Sequence, residues 1–256
     1  MTSLRRFWGP AAALGMTLWA GCARLRPTVV PLRTIDLSPP GRHSTLVVFL
    51  PGRRDSPEDF RCHAFAETAL RHGVSADFLA VDAHPGYYFK KTIVDRLRQD
   101  ILAPARSRYQ RIWLVGISIG GTGSLLYAAE RPEEVDGIVL LAPFLGNDPV
   151  IDEIQKAGGL EGWTPPPADG SDDFEHRMWT FLQLNRRAAS TPGARTIPLY
   201  LGWGTKDRFA RANALLGREL PPGHVFTAPG GHDWKAWSAL WEQVVHSGAL
   251  DRATPR

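Results

Sequence analysis

Residues 111–121, which read RIWLVGISIGG, constrain the fold of this chain more than any other segment. Residues 112–115 are a short apolar run rich in β-branched and aromatic side chains, and such a run predicts a buried strand. The run leads directly into Gly116-Ile117-Ser118-Ile119-Gly120, which matches the pattern G-x-S-x-G, and residues 121–131 then have helical character. A strand, a tight turn and a helix in this order form the context in which the serine of this pattern becomes an exposed nucleophile.

Both glycines of the pattern have a mechanical role in this predicted turn. The nucleophile of such a turn has a strained backbone, and a side chain at Gly116 or Gly120 would collide with the neighbouring turn. Gly121 and Gly123 continue the run of small residues. We therefore expect the helix that follows Ser118 to pack closely against the sheet.

Apolar runs and helical segments alternate along the rest of the 256-residue chain. Further strands are predicted at residues 28–37, 44–50, 76–83, 135–144, 197–203 and 225–228, helices at 56–72, 90–105, 121–131 and 234–246, and a loop at 84–88. Because nearly every strand is apolar throughout, the pattern predicts a mostly parallel, doubly wound α/β sheet with helices on both faces.

Residues 1–22 have the pattern of a targeting signal. Arg5 and Arg6 form a positive region, residues 7–20 are apolar but too few to span a bilayer comfortably, and Cys22 follows small residues. This ending resembles a bacterial lipoprotein signal, in which Cys22 is lipidated. We expect an exported protein, either periplasmic or anchored to the membrane at Cys22. The alternatives are a signal without lipidation and a cytosolic start.

The cysteines and the net charge exclude some classes of partner. If Cys22 is acylated, Cys62 is left alone, and its place on a predicted amphipathic helix indicates a small buried residue. No C-x-x-C pair or metal-ligand spacing occurs, so we expect neither cofactor nor metal. Removing Arg5 and Arg6 with the signal lowers the formal charge from +4 to +2, which gives no indication of nucleic-acid binding.

One long segment interrupts the alternation of strands and helices. Residues 145–194 separate two predicted core strands and contain three successive prolines, an acidic patch and a predicted helix near residues 174–187. An insertion of this size at the carboxyl side of a sheet commonly covers the site. We expect a small cap that shapes the substrate pocket, the alternative being a surface excursion. Residues 23–43 are expected to form a tether and an edge strand, and residues 44–250 the main domain.

A serine hydroxyl needs a base to accept its proton, and the base needs an acid to orient it. The chain order that accompanies this turn is serine, acid, histidine. Asp207 lies in a polar turn after the strand at 197–203, and His232 follows the last strand, where a loop can reach Ser118. The remaining seven histidines lie elsewhere, and His84 sits at a strand end. We predict a triad of Ser118, Asp207 and His232, with Asp148 as the alternative acid.

Two backbone N–H groups are expected to stabilise a negatively charged oxygen of the reacting substrate. One belongs to Ile119, which directly follows the serine. The other is predicted in the turn at Gly52-Arg53-Arg54, where Arg53 is favoured and Gly52 allows close approach of the backbone. The side chains of Arg53 and Arg54 are either solvated or bind an anionic group of the substrate.

The segment from Gly230 to Trp237 reads GGHDWKAW, and residues 44–247 resemble the α/β-hydrolase superfamily. Within it, this segment looks like the G-G-H-D-W-x-x-W ending of the esterase D group, which includes enterochelin-esterase-like and mycolyltransferase-like members. The resemblance implies a serine carboxylesterase or acyl-transfer activity with the triad roles given above. Trp234 and Trp237 lie three residues apart on a predicted helix, so we expect packing residues rather than substrate contacts.

These residues predict a serine ester hydrolase that forms an acyl-enzyme on a small-molecule or lipid-like ester. An acyltransferase acting on lipid or envelope glycan keeps the same intermediate and changes only the acceptor. The third hypothesis is a catalytically silent lipoprotein with the same fold that binds a partner in the cell envelope. We also expect an apolar substrate pocket. The aromatic residues that could form its walls are Phe144, Trp163, Phe174, Trp179 and Trp203.

Overall fold

The computed structural model describes residues 26–167 and 173–251. The predicted signal of residues 1–22 and the lipidation site Cys22 lie outside the described residues, as do residues 168–172 of the predicted cap. Among the described helices, none combines the length and apolar character needed to cross a bilayer.

One seven-stranded sheet organises the described chain. Its strands are β1 Thr34–Asp36, β2 Thr45–Leu50, β3 Asp77–Val81, β4 Arg111–Ile117, β5 Gly137–Leu141, β6 Leu199–Gly204 and β7 Val225–Ala228. They lie in the order β1-β3-β2-β4-β5-β6-β7. β1 is antiparallel to β3 and all other neighbours are parallel. The predicted mostly parallel sheet is confirmed, and β4, which carries the G-x-S-x-G segment, is its central strand.

Alternate residues of the central strands pack into two separate cores. In β2, Leu46 and Val48 belong to the core on one face, and Val47 and Phe49 belong to the core on the other. Successive strand residues point to opposite faces of a sheet, so a strand that is buried throughout requires helices on both sides. The uniformly apolar strands of the sequence follow from this two-sided burial.

Ten α-helices cover the sheet in the described residues. They are α1 Pro57–Cys62, α2 Phe65–Arg71, α3 Pro85–Phe89, α4 Ile93–Leu97, α5 Ala103–Ala105, α6 Ile119–Glu130, α7 Asp148–Lys156, α8 Phe174–Ala189, α9 Ala210–Gly217 and α10 Trp234–His246. A π-helical turn, Arg98–Leu102, joins α4 to α5, and short 3-10 turns lie at Pro132–Glu134 and Ala249–Asp251.

Two local predictions were wrong, and not every helix was predicted. The helix predicted at residues 56–72 is broken between α1 and α2, where Ala64 has a left-handed backbone with φ of 52°. The predicted loop at 84–88 contains α3, because Pro85 suits the first helical turn and the His84 ring accepts a hydrogen bond from the Gly86 N–H. Helix α9 was not predicted at all.

Cys62 is exposed, which contradicts the expected buried position. Helix α1 is short, and its buried face is formed by Pro57 and Phe60, three residues apart. Cys62 is two residues beyond Phe60 and therefore lies on a different side of the helix.

Helices α7 and α8 lie within the segment predicted as a cap. The indole N–H of Trp179 donates to the carbonyl of Leu145 at 2.8 Å, and that of Trp163 donates to Glu153 Oε1 at 2.6 Å. Both tryptophans belong to the buried core that also contains side chains of the sheet strands, and Trp179 is itself a residue of α8. Their hydrogen bonds stay within the segment, and their large buried rings have a packing role.

Candidate active site

Ser118 lies in the single-residue turn between β4 and α6. Its backbone has φ of 53° and ψ of −117°, a conformation that is costly for a residue with a side chain. The surrounding backbone holds this conformation. The Ser118 N–H donates to the Leu141 carbonyl of β5 at 3.0 Å, and the Ser118 carbonyl accepts from the N–H groups of Gly121 at 3.0 Å and Phe144 at 3.1 Å.

The glycines on either side of Ser118 are required by close backbone contacts. A Cβ atom on Gly116 would lie far inside van der Waals contact with the backbone of Gly120. A Cβ atom on Gly120 would overlap the carbonyl group of Leu50, at the end of β2. The second contact shows that the turn around Ser118, called the elbow turn here, packs directly against the loop that follows β2. Both contacts agree with the clash predicted from sequence.

Gly120→Ala is therefore expected to destabilise the fold by about 2–4 kcal/mol, because a backbone carbonyl cannot move aside as a side chain would. Urea unfolding of the purified variant measures this change. Gly217→Ala is the matched control, since its Cβ would meet only the edge of the Trp203 ring at 3.1 Å. Equal midpoints for the two variants would contradict the prediction.

Three predicted side chains meet at the carboxyl edge of the sheet. His232 Nε2 lies 3.0 Å from Ser118 Oγ, and His232 Nδ1 lies 2.8 Å from Asp207 Oδ2. The second carboxylate oxygen of Asp207 accepts from the Phe209 N–H at 2.8 Å. An ionised carboxylate can only accept, so the Nδ1 atom carries the proton and Nε2 is free to accept from the serine hydroxyl.

Aromatic rings fix the orientation of His232. The ring of Phe209 and that of Trp237 each meet the imidazole at right angles, both with centroids 5.0 Å apart. Asp233, the residue after the histidine, caps α10 by accepting from the Ala236 N–H at 3.0 Å. The imidazole is thus held by packing as well as by Asp207.

The alternative residues lie away from this centre. The Asp148 side chain is 88% exposed and pairs with Arg211 at 3.4 Å, so it does not reach His232. The His84 ring is occupied as the cap of α3, where its Nδ1 accepts from the Gly86 N–H at 3.1 Å. Neither residue has access to Ser118 Oγ in this arrangement.

Of the two backbone N–H groups predicted to bind the negatively charged oxygen, one directly follows Ser118 and the other lies in the loop after β2. Ile119 is the first residue of α6, and the first N–H groups of a helix have no acceptor within it. Arg53 lies in a turn closed by the Asp55 N–H, which donates to the Gly52 carbonyl at 3.2 Å. The Arg53 N–H has no hydrogen-bond partner among the described residues. The side chains of Arg53 and Arg54 are exposed.

A cavity of about 500 Å³ lies beside the elbow turn. Ile119 and Thr122 of α6 form part of its wall, and aromatic rings from three other parts of the chain complete it, namely Tyr88, Phe89, Phe144 and Phe174. The sequence indicated Phe144 and Phe174 as wall residues. It did not indicate Tyr88, Phe89 or Val94. The one feature of the sequence that could have suggested these residues as cavity walls is their position after the carboxyl end of β3. A larger depression of about 900 Å³ follows α8. Neither lining includes a triad residue, and the smaller cavity is the one that includes Ile119, directly after Ser118.

Comparison with known proteins identifies the fold family. A family model described as the alpha/beta hydrolase fold matches residues 45–190. The chain belongs to this family. No curated protein matches this α/β hydrolase. No cluster of three or more His, Cys, Asp or Glu side chains suited to a metal occurs in the described part of the chain, and the expectation of no cofactor stays a prediction.

Solved structures share the fold of this α/β hydrolase at low sequence identity. S-formylglutathione hydrolase (FrmB) from Staphylococcus aureus is 14% identical with a TM-score of 0.56, covering 86% of this chain and 96% of that one. The Agrobacterium tumefaciens S-formylglutathione hydrolase is 14% identical, with a TM-score of 0.55 and coverage of 88% and 93%. Est1E from Butyrivibrio proteoclasticus, solved with ferulic acid, is 17% identical, with a TM-score of 0.55 and coverage of 86% and 94%.

Proposed function

We propose that this α/β hydrolase is a serine-dependent ester hydrolase that works through an acyl-enzyme. The observation that carries the proposal is the pair of hydrogen bonds from Ser118 Oγ to His232 Nε2 at 3.0 Å and from His232 Nδ1 to Asp207 Oδ2 at 2.8 Å. This order of nucleophile, base and orienting acid is the requirement for acyl transfer through serine. The names of the solved neighbours, which include hydrolases and a ferulic acid esterase, support the same reaction class.

The arrangement supplies each step of such a reaction. His232 accepts the hydroxyl proton as Ser118 Oγ attacks the acyl carbonyl, and Asp207 stabilises the resulting imidazolium. The N–H groups of Ile119 and Arg53 donate to the oxygen that becomes negative in the tetrahedral intermediate. The imidazolium then protonates the leaving alcohol, and water activated by His232 releases the acid and regenerates the hydroxyl.

Labelling with a fluorophosphonate tests the nucleophile directly. We expect a single adduct on Ser118, located by mass spectrometry, and turnover of p-nitrophenyl esters by the unlabelled protein. A folded protein that forms no adduct and hydrolyses no ester would contradict the proposal. Formation of an ester product when a competing alcohol is added would instead identify an acyltransferase with the same acyl-enzyme.

The cavity beside Ile119 is proposed as the site of the acyl group. Its walls are mainly aromatic and aliphatic, which suits an apolar acyl chain or ring. Charged side chains at Lys91, Asp95, Glu130 and Arg177 also belong to its lining. An ester whose acyl part is apolar and whose other end is polar fits this distribution.

Val94→Trp is expected to fill part of this cavity, because Val94 lies in its wall and is only partly buried. The ratio of kcat/KM for octanoyl to acetyl esters should fall about tenfold or more, the effect of losing one to two methylene-sized contacts. Acetyl ester turnover serves as the internal reference. Leu70→Trp is the matched control, because Leu70 is exposed on α2. An unchanged ratio in Val94→Trp would show that the acyl group does not bind in this cavity.

Export and lipidation are a separate proposal, supported by the pattern of residues 1–22. Metabolic labelling with a palmitate analogue is expected to mark the wild-type chain and to leave Cys22→Ser unmarked. Equal label in the two would rule out lipidation at Cys22, and a full-length chain in the cytosol would rule out export.

A further inference from the structure

A partly buried hydrogen bond joins the loop after β2 to the first residue of α10, directly after the loop that bears His232. The indole N–H of Trp234 donates to Asp55 Oδ1 at 3.0 Å, across 179 residues of sequence. Within the described residues it is the one hydrogen bond that connects the turn bearing Arg53 with the loop bearing His232. Two parts of the proposed reaction centre are therefore coupled through these two side chains.

The Asp55 carboxylate packs directly against the turn that contains the Arg53 N–H. The Asp55 N–H closes the turn by donating to the Gly52 carbonyl at 3.2 Å. The other carboxylate oxygen, Oδ2, lies where a Cβ atom on Gly52 would be. Only glycine leaves space for this contact, so the position of the carboxylate limits where the backbone of Gly52 and Arg53 can lie.

The indole of Trp234 is itself held on several sides. It stacks on the His63 ring with centroids 4.4 Å apart and an angle of 2°. Phe60 and Phe65 meet it edge-on at 5.4 and 5.5 Å. Trp237, which contacts the His232 ring, meets it at 5.3 Å. A ring enclosed in this way offers Asp55 a donor at a fixed place.

We propose that Asp55 and Trp234 are positioning residues that set the separation between the oxyanion-binding N–H of Arg53 and the imidazole of His232. The pair is called the loop latch below. The inference rests on the proposed function, since it assigns the latch to the same reaction centre. Neither residue contacts the reacting atoms, and both act through the loops that they join.

The latch also places a carboxylate near the imidazole. Burial raises the pKa of Asp55, and the hydrogen bond from Trp234 opposes this by favouring the ionised form. The charged groups that act on Asp55 are Asp59 of α1, which raises its pKa, and His232, which lowers it.

Three variants separate position from charge. Trp234→Phe keeps an aromatic ring but loses the donor, and Asp55→Ala loses the acceptor and the charge. We expect both to lower kcat about 10- to 100-fold with KM changed less than threefold, because a misplaced oxyanion donor affects the transition state. Asp55→Asn keeps an acceptor oxygen for Trp234, so its kcat should stay within about threefold of wild type. Glu67→Gln, an exposed carboxylate on α2, is the control for charge alone.

The rate of fluorophosphonate labelling at Ser118 distinguishes the latch from the proposed function. A wild-type protein that is not labelled refutes the function itself. If the wild-type protein is labelled, and Trp234→Phe is labelled and hydrolyses esters at rates within twofold of wild type, the latch alone is overturned. The indole N–H resonance of Trp234 in an NMR spectrum supplies a measurement independent of activity. It should move in Asp55→Ala and remain close to its wild-type position in Asp55→Asn, and no movement in Asp55→Ala would also overturn the latch.

Discussion

Ser118→Ala is expected to lower kcat for p-nitrophenyl esters by about 10⁴- to 10⁶-fold and to abolish labelling by a fluorophosphonate. In the proposed mechanism the Ser118 hydroxyl receives the acyl group, and its oxygen lies 3.0 Å from His232 Nε2. Its removal leaves the N–H groups of Ile119 and Arg53 in place, so residual hydrolysis by water should remain above the uncatalysed rate. Steady-state kinetics with an active-site titration measure the loss.

Ser124→Ala is the matched control for this variant. Like Ser118, Ser124 is buried, but it lies within α6 and its hydroxyl donates to the Gly120 carbonyl at 2.9 Å rather than to a titratable side chain. We expect its kcat to stay within about threefold of wild type. Turnover retained by Ser118→Ala, with an unchanged circular dichroism spectrum, would show that another residue carries the reaction.

Asp207→Asn is expected to lower kcat by about 10⁴-fold while the fold remains intact. The N–H of Phe209 donates to Asp207 Oδ1, so the amide oxygen of an asparagine would occupy that position. The amide NH₂ would then face His232 Nδ1, which now lies against Oδ2. The imidazole would have to carry its proton on Nε2 instead, and it could no longer accept the proton of Ser118.

The pH dependence provides a second measure of the same variant. With the tautomer reversed, the remaining activity should rise with hydroxide concentration, because the serine must lose its proton to solvent. Asp148→Asn is the control, since Asp148 was the alternative acid and its side chain lies in solvent beside Arg211. A large loss in Asp148→Asn with little loss in Asp207→Asn would exchange the two assignments.

The sequence predicts the centre of the molecule well because its signals there are local. The apolar run of β4, the glycines around Ser118 and the helix that follows are adjacent in the chain, so a single short pattern contains all three. Asp207 and His232 were found because both follow strands, and the carboxyl ends of parallel strands share one edge of the sheet. That rule places a residue near the site without any knowledge of side-chain contacts.

The parts that sequence reasoning missed depend on contacts between distant segments. The break at Ala64 accompanies the stacking of His63 on Trp234, which lies 171 positions later in the chain, and no periodicity of residues 56–72 records it. Tyr88 and Phe89 become cavity walls because α3 forms next to α6. The role of Asp55 was missed for the same reason, since its partner is the indole of Trp234 and the turn itself has an ordinary composition.

The first described residues are fastened close to the carboxyl edge of the sheet. Arg26 pairs with Asp82 at 2.6 Å just beyond β3, and the backbone of Val29 exchanges two hydrogen bonds of 3.0 Å with the hydroxyl of Tyr87. Cys22 precedes Arg26 by four positions, a leash of at most about 14 Å when fully extended. If Cys22 carries a lipid, this leash keeps the edge that bears Ser118 within a short radius of the bilayer surface. Esters dissolved in the membrane would then meet the enzyme at the high local concentration of a two-dimensional reaction, and their encounter rate would no longer be set by their solubility in water.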